Sequence, residues 1–408
     1  MSWYLSKWLS KGVYTFMEIL VFGAGRTGVK IAKEADMFGM NIIYFVDNNA
    51  NNASNQKFFD IEVVKPNDYR LEKLKSLPVF IAIAGNQNSA VSVKSQLEDL
   101  GFINIAANLD ERKKYYPDAI VNSKRNPKIS HAFASMEITT SIGCPVGCKF
   151  CPQKLFVNKY KSIDKNAPLK FPLNDYRKCL DAIPTTVEIC FSGFSEPFLN
   201  KNCAEMIKYA FDRGHPVSLN STLVGLTDKC FNYMQDVMFR RVRLHLPDTN
   251  DYCNIKVTDD YLKLLDKFLS TIQSEKFIYV SHDNDTPAAV KNTINNSPYP
   301  YVYPYKLEKE IHDRAGNLDN DLAPCTPFLK GAIYCGKGAR MPNYNILLPN
   351  GMVLLCCMDF DMKHVLGNLL TMGYEELFEC DEMEKLNQAF DDDKMELICR
   401  TCAWACNI

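Results

Sequence analysis

The stretch SIGCPVGCKFCP, residues 141–152, carries Cys144, Cys148 and Cys151 in a Cys-x-x-x-Cys-x-x-Cys spacing, directly after the extended, β-branched run 136–140. Thiolates are soft ligands that bind iron–sulfur clusters or zinc. The glycines and prolines between them favour a loop that can fold around a metal. Zinc usually takes four ligands, often from Cys-x-x-Cys pairs. Three cysteines without a fourth nearby therefore indicate a four-iron cluster with one open iron; a zinc-stapled loop is the alternative.

This stretch resembles the defining motif of the radical S-adenosylmethionine (SAM) superfamily, in which an aromatic residue, here Phe150, precedes the third cysteine. The resemblance implies that the three cysteines ligate a 4Fe–4S cluster whose fourth iron binds the amine and carboxylate of SAM. It also implies that the cluster cleaves SAM reductively, and that the 5′-deoxyadenosyl radical so formed abstracts a hydrogen atom from a substrate.

Composition sets the broad class of the protein. The chain has 408 residues, a net charge of −1 and 47% hydrophobic residues, as ordinary globular proteins do, and this length predicts two or three domains. The chain has no surplus of basic residues that would indicate a nucleic-acid partner. No apolar run reaches the roughly 18 residues of a transmembrane span. The N-terminal segment lacks the small-residue cleavage site of a signal peptide. We therefore expect a cytoplasmic protein.

The N-terminal part, residues 1–118, begins with a predicted strand at 18–22, followed by a glycine turn, a helix and a second strand that ends at Asp47. Gly23, Gly25 and Gly28 form a G-x-G-x-x-G pattern, which lets a pyrophosphate approach the start of the helix. Asp47 is placed to hold a ribose hydroxyl. The pattern predicts a Rossmann-like half domain that binds a nucleotide.

The same segment resembles small Rossmann-like modules of bacterial surface-glycan enzymes, through residues 44–48 and 101–102. The resemblance implies a module that binds a nucleotide or nucleotide-sugar, or that serves for docking. A Rossmann-like fold that binds nothing is the alternative. A polar linker follows at 117–134.

Residues 130–320 alternate strands and helices, which predicts a parallel α/β sheet. This pattern matches the partial, TIM-like (β/α)6 barrel of the superfamily, so the active site should lie at the carboxyl ends of the strands. The predicted strands are 186–191, 217–220, 242–246 and 277–280, and the predicted helices are 174–182, 203–213, 229–237 and 260–272.

Two short segments match cofactor-binding positions of the superfamily. Gly193 and Glu196 belong to a turn after the second barrel strand, where relatives bind the amino group of SAM, although Ser195 replaces a glycine of the usual pattern. Asn220 and Ser221 end the next strand, where relatives often place a polar group on the ribose or carboxylate of SAM. A carboxylate beside a backbone turn suits an ammonium group.

Arg243 and His245 lie two residues apart on a later predicted strand, so their side chains share one face. That face is either the lumen of the barrel or the helix layer. In the lumen the two residues are candidates for contact with substrate or SAM; a histidine satisfied within the core is the alternative.

Eight of the 16 cysteines lie after residue 320, which in a cytoplasmic chain indicates metal rather than disulfides. Runs 345–348 and 352–355 flank a Pro-Asn-Gly turn and predict a hairpin that presents a cysteine at its exit. Five further cysteines lie within apolar patterns and are predicted to be inert core thiols: Cys179, Cys190, Cys203, Cys230 and Cys253.

Residues 321–408 resemble the SPASM or twitch extension of radical SAM enzymes, through Cys335, Gly351 and Cys356. The final run has fewer cysteines than the two-cluster form requires, so we expect one auxiliary 4Fe–4S cluster on Cys335, Cys356, Cys399 and Cys402. A zinc site on these thiols and a second cluster are the alternatives. The remaining cysteines could complete such a second site: Cys325, Cys357, Cys380 and Cys406.

The predicted function is that of a radical SAM oxidoreductase or epimerase, which oxidises or epimerises a sugar or nucleotide-sugar in glycan biosynthesis. Such an enzyme needs a reducing partner such as flavodoxin or ferredoxin. One alternative within the same chemistry is a peptide- or protein-modifying maturase. An alternative from another class is a non-enzymatic nucleotide-binding iron–sulfur sensor or scaffold. A nicotinamide-dependent dehydrogenase would leave the cysteines unexplained.

Overall fold

The computed structural model describes residues 17–37, 40–50, 57–58, 61–83, 87–108, 111–112, 114–115, 134–250, 252–281, 286–299, 305–306, 312–318, 323, 325–336 and 343–407. The chain divides into two compact units, Met1–Ala132 with Gly338–Arg340, and Phe133–Lys337 with Met341–Ile408. The segments predicted as barrel and C-terminal extension both lie in the second unit. The predicted domain boundaries at 118, 130 and 320 stay predictions.

The first unit contains a six-stranded sheet in the order β3-β4-β2-β1-β5-β6. All neighbouring strands are parallel except β3 and β4. Without β3, this is the order of a doubly wound sheet. The strands are β1 Glu18–Phe22, β2 Asn41–Val46, β3 Lys57–Phe58, β4 Ile61–Val64, β5 Val79–Ile81 and β6 Ile105–Ala106, and the helices are α1 Arg26–Met37 and α2 Gln87–Asp99.

Burial explains the order of elements in this unit. Four of the five residues of β1 and all three residues of β5 are buried, as expected for parallel strands covered on both faces. Helix α1 buries Ile31, Ala32 and Ala35, which recur at helical spacing. The predicted strand–turn–helix–strand order from residue 18 to Asp47 is therefore present.

The second unit contains a nine-stranded sheet in the order β14-β13-β11-β9-β8-β7-β16-β17-β18. Its strands are β7 Ser135–Ile138, β8 Glu188–Phe191, β9 Val217–Ser221, β11 Arg241–His245, β13 Phe277–Ser281, β14 Tyr305–Lys306, β16 Tyr344–Leu347, β17 Met352–Leu354 and β18 Val365–Asn368. Two small pairs lie beside it: β10 Met238–Phe239 with β12 Gln273–Ser274, and β15 Ile333–Cys335 with β19 Ala405–Asn407.

The six strands from β7 to β14 run parallel and follow chain order across the sheet, so the predicted α/β class is confirmed. The predicted strands and helices of this region match observed elements to within a few residues. The helix that follows the cysteine loop was not predicted. The helices of this unit are α3 Gln153–Ile163, α4 Leu173–Asp181, α5 Cys203–Asp212, α6 Asp228–Met234, α7 Asp259–Thr271, α8 Ala288–Asn295 and α9 Asp381–Ala389.

The C-terminal hairpin continues the barrel sheet. Strands β16 and β17 pair antiparallel, as the Pro-Asn-Gly turn predicts. Strand β16 also pairs parallel with β7, whose carboxyl end leads into the cysteine loop. The hairpin therefore lies directly beside the strand that presents the three motif cysteines. None of the helices in the described ranges is long and apolar enough to cross a membrane.

Candidate active site and metal centres

A cavity of about 280 Å³ lies at the carboxyl ends of β7, β8, β9 and β11, where the barrel architecture places active sites. It brings together residues that are up to 267 positions apart in the chain, from Glu137 to Trp404. All ten barrel residues predicted for cluster, cofactor or substrate contact line it: Cys144, Cys148, Cys151, Phe150, Gly193, Glu196, Asn220, Ser221, Arg243 and His245.

The cysteine loop is fastened to the segment 252–254. Lys149 N–H donates to the Tyr252 carbonyl at 2.9 Å, and Asn254 N–H donates to the Val146 carbonyl at 2.7 Å. The Cys253 thiol lies 3.3 Å from the Cys148 sulfur and donates to it. Cys253 is buried in an apolar cluster, as predicted, but it lies against Cys148, and that it is inert stays a prediction.

The three motif thiols are held in their protonated form when no metal competes for them. The hydrogen bond with Cys253, together with burial, raises the pKa of Cys148. Burial raises the pKa of Cys151 to about 11, and it raises the pKa of Cys144 as well. Since a metal ligand must be the thiolate, cluster assembly here releases protons and should depend on pH.

Three buried polar atoms in the cavity walls have no hydrogen-bond partner among the described residues: Ser195 Oγ, Asn220 Oδ1 and Gln153 Oε1. Buried polar groups in proteins are almost always paired. The amide nitrogen of Gln153 donates to the Phe194 carbonyl at 2.5 Å, which leaves its oxygen for another partner. The cavity therefore fits a ligand rich in polar groups, as SAM is.

The turn after β8 is held in place by side chains of β7. Ser192 Oγ and Gly193 N–H both donate to Glu137 Oε2, at 2.8 and 3.2 Å, and Phe194 N–H donates to Thr139 Oγ1 at 3.2 Å. Gly193 has φ +69°, and a Cβ at this position would lie 3.1 Å from the Thr139 backbone. Glycine is thus required for the turn to approach β7 so closely.

Glu196 is buried, and both of its carboxylate oxygens are occupied. Ser221 Oγ and Phe198 N–H donate to Oε1 at 2.7 and 3.2 Å, while Thr222 N–H and Oγ1 donate to Oε2 at 2.6 and 2.7 Å. Burial raises the pKa of Glu196, and these hydrogen bonds oppose that rise. A carboxylate has about four acceptor positions, so its first role is to join the turn after β8 to the end of β9. Its contact with the amino group of SAM stays a prediction.

Arg243 and His245 both face the cavity, so they lie in the lumen rather than in the helix layer. Val242 and Leu244, which alternate with them on β11, are buried in the core. Burial, and then the charges of Arg243 and Arg314, lower the pKa of His245 to about 4. The imidazole is therefore neutral at neutral pH and can accept or donate one hydrogen bond in the cavity.

Several residues that line the cavity were not predicted from the sequence. Glu137 lies on β7 between two buried apolar residues, and this alternation could have indicated that it faces the lumen. The others come from the segment 312–318 and from the C-terminal region, for which no spacing rule exists. The main ones are His312, Arg314, Cys357, Met358, Phe360 and Trp404.

The four thiols predicted to hold an auxiliary cluster lie near one another. Burial raises the pKa of Cys356 well above its usual value, and the neighbouring Cys399 and Cys402 add to this. Burial also raises the pKa of Cys399 well above its usual value, and the neighbouring Cys335 and Cys402 add to this rise. Cys335 is placed by the pairing of β15 with β19, and Cys356 by the exit of the hairpin.

Arg400 lies between two of these thiols and is 1% exposed. Its guanidinium donates to the carbonyls of Leu329, Gly331 and Ala389, and no carboxylate pairs with it in the part of the chain that the structure describes. A buried cation without an anionic partner is costly. The thiolates of a bound metal or cluster would supply the missing negative charge, so the residues present fit such a group.

The reserve cysteines differ in position. Cys325 is exposed, Cys357 lines the active-site cavity, Cys380 donates to the Leu377 carbonyl at 3.3 Å, and Cys406 faces Tyr334 across the β15–β19 pair. Among the described residues, no group of three or more Cys, His, Asp or Glu side chains is close enough to hold a metal ion as the side chains stand. One auxiliary site on Cys335, Cys356, Cys399 and Cys402 stays the prediction.

In the first unit, Asp47 closes the glycine turn onto the sheet. Its Oδ2 accepts from Ala24 N–H at 3.0 Å and its Oδ1 from Asn49 N–H at 2.9 Å. Gly23 approaches Ala82 closely, whereas Gly25 has open space around it and Gly28 is buried in α1. The carboxylate predicted to hold a ribose thus bonds the turn itself, and nucleotide binding stays a prediction.

Comparison with known proteins adds a family match to this geometry. The model of the SPASM family, an iron–sulfur cluster-binding domain, matches residues 335–403, which include all four predicted auxiliary ligands. A search of curated protein sequences found no match to this chain.

Several solved structures are similar to part of the chain. They include BtrN in complex with AdoMet and 2-DOIA (15% identity, 68% of this chain and 94% of that chain, TM-score 0.43). Native anSMEcpe with bound AdoMet is also similar (15% identity, 66% and 86%, TM-score 0.39). So is Streptococcus suis SuiB bound to the precursor peptide SuiA (11% identity, 72% and 77%, TM-score 0.39).

The family match confirms the resemblance of the C-terminal region to the SPASM extension. Three motif cysteines lie at the carboxyl ends of a parallel sheet, and a SPASM domain follows in the same compact unit. Residues 335–403 are therefore a SPASM-type iron–sulfur cluster-binding domain.

Proposed function

We propose that this enzyme uses radical SAM chemistry to oxidise or epimerise a sugar-derived substrate, such as a nucleotide-sugar. The observation that supports radical chemistry most directly is the single cavity that joins the three motif cysteines to the turn at Gly193 and to the end of β9. A cluster bound to those cysteines would supply the electron that cleaves SAM.

The residues of the chain have separable roles in this proposal. Cys144, Cys148 and Cys151 hold the cluster, and the backbone of the turn at Gly193 offers acceptors for the ammonium group of SAM. Asn220 Oδ1 and Ser195 Oγ, which have no partner among the described residues, receive further polar groups of the ligand. Phe360 and Trp404 cover the cavity from the C-terminal region and exclude water from the radical.

Two observations support a sugar-derived molecule as the substrate. The doubly wound strand order of the first unit suits a module for nucleotide-containing substrates. An auxiliary cluster in the same compact unit as the barrel could accept the electron left on a substrate radical, which makes a two-electron oxidation possible. A peptide maturase would not need a nucleotide module.

The first experiment measures iron, sulfide and SAM cleavage on anaerobically reconstituted protein. We expect about eight irons per chain, as two 4Fe–4S clusters require, and 5′-deoxyadenosine after reduction with dithionite. Uridine diphosphate glucose and a peptide library would then be compared as substrates. Turnover of peptides alone would replace the sugar assignment by the maturase. Iron without SAM cleavage would favour the sensor or scaffold.

A triple variant, Cys144→Ala with Cys148→Ala and Cys151→Ala, tests the separation of the two metal sites. It should abolish 5′-deoxyadenosine formation and retain about half of the iron, because the auxiliary thiols are untouched. Cys325→Ala, an exposed cysteine, is the matched control and should behave as the wild type. Loss of all iron in the triple variant would contradict two independent sites.

A further inference from the structure

Arg314 is a charged group in the active-site cavity to which the proposed function assigns no role. It belongs to the segment 312–318, which contributes His312 and Arg314 to the cavity wall. Met358 and Trp404 of the C-terminal region complete this wall, whereas the turn predicted to bind SAM comes from the strand ends. Arg314 therefore lies on the wall that joins the cysteine loop to the C-terminal region.

The segment holds Arg314 in a strained conformation. Arg314 and Ala315 have φ +52° and +56°, a region that non-glycine residues rarely adopt. Thr326 fastens the segment through two hydrogen bonds to the Asp313 carboxylate, at 2.7 and 3.0 Å. Asn317 donates to the Met358 carbonyl at 3.0 Å. Backbone strain of this kind persists only where surrounding contacts impose it, and it clusters at functional sites.

Arg314 has no carboxylate partner among the residues that the structure describes. Its Nε donates to the Phe150 carbonyl at 3.4 Å. The two acids that line the cavity, Glu137 and Glu196, accept hydrogen bonds from hydroxyl and backbone N–H groups instead. A guanidinium stays charged at any physiological pH, so Arg314 attracts an anionic group that enters the cavity.

We infer that Arg314 forms an anion-binding subsite that holds a phosphate or carboxylate group of the substrate in the active-site cavity. The inference rests on the proposed function and narrows its substrate class to anionic molecules, such as a sugar phosphate or a uronate. The guanidinium fork matches either oxyanion in bidentate geometry. Because SAM is already bound in the titration described below, an anion preference there assigns Arg314 to the substrate.

The test is calorimetric titration of the SAM-loaded holoenzyme with three matched probes: glucose 1-phosphate, gluconate and glucose. One or both anions should bind at least tenfold more tightly than glucose, and Arg314→Met should remove that preference. Preference for glucose 1-phosphate identifies a phosphate, and preference for gluconate a carboxylate. Equal binding of all three probes, or an unchanged preference in Arg314→Met, would overturn the inference.

Two controls separate this site from SAM binding and from folding. Arg213→Met, at a surface ion pair with Asp181, should leave all affinities unchanged. Arg314→Lys keeps the charge and should retain part of the anion preference even if Arg314→Met folds poorly. A loss of SAM affinity in Arg314→Met with unaltered anion binding would assign Arg314 to SAM and overturn the inference. If the wild type binds the anions but forms no 5′-deoxyadenosine after reduction, the proposed function fails and the subsite remains.

Discussion

Glu196 matches a family pattern for SAM binding, and in the structure it also joins the turn after β8 to the end of β9. The sequence places an acid where relatives bind the amino group of SAM. In the structure its two oxygens accept four hydrogen bonds from Ser221, Thr222 and Phe198. Removing a buried acceptor leaves its donors unsatisfied, which costs more than the bond itself contributed.

Glu196→Gln should therefore destabilise the protein as well as weaken SAM binding. The amide nitrogen of glutamine cannot accept from the Thr222 N–H, so we expect a loss of about 2 kcal/mol in the free energy of unfolding. Urea unfolding and SAM titration of the same samples measure both effects. Glu205→Gln, at a partly exposed ion pair on α5, is the control. Unchanged stability with weaker SAM binding would show that Glu196 acts only on the ligand.

At the scale of elements, the turn after β8 depends on β7 for its position. Glu137 on β7 and Thr139 just after it accept hydrogen bonds from backbone N–H groups of the turn. Gly193 allows the turn to approach Thr139 closely. The backbone atoms that would receive SAM are thus positioned by side chains from the neighbouring strand. This support involves residues 55 positions apart, which no local pattern reveals.

Gly193→Ala tests this dependence, with Gly214→Ala as a matched control. Both glycines have positive φ, but an added Cβ meets the Thr139 backbone at residue 193 and nothing within 4 Å at residue 214. We expect about 1 kcal/mol of strain for the control and about 3 kcal/mol for Gly193→Ala. Thermal unfolding gives the stability difference, and SAM titration should show at least tenfold weaker binding for Gly193→Ala alone. Equal effects of the two substitutions would argue against a positioning role for the turn.

At the scale of the whole molecule, the C-terminal region is part of the barrel sheet. Strand β16 pairs with β7, and Cys356, a predicted auxiliary ligand, follows β17. Metal bound there should therefore stabilise the sheet that carries the cysteine loop. The first unit has its own sheet and its own core.

Cys399→Ser with Cys402→Ser should loosen the second unit only. Since these thiols link the end of the chain to the hairpin exit, we expect hydrogen exchange at β16, β17 and β18 to be about tenfold faster or more, which corresponds to about 1.4 kcal/mol of local stability. Exchange at β1 and β2 should not change. Mass spectrometry of peptides from both units makes the comparison, with Cys325→Ser as control. Faster exchange throughout both units would contradict this division of stability.

Local sequence determined much of the fold because periodicity and turn chemistry act over a few residues. The βα repeats of the barrel, the Pro-Asn-Gly hairpin and the polar ends of β8 and β9 were all predictable in this way. The spacing of three cysteines and the cysteine-rich C-terminal end indicated the family chemistry, and the SPASM match confirms an iron–sulfur domain at residues 335–403.

The tertiary structure alone decided three further points. It placed Arg243 and His245 in the lumen, Cys253 against Cys148, and Arg314 in the cavity wall beside the C-terminal region. Each depends on contacts between segments far apart in the chain, which burial of apolar surface and strand pairing establish together. A short motif determines which atoms can bind a cluster, whereas only the folded sheet determines which distant charges surround it.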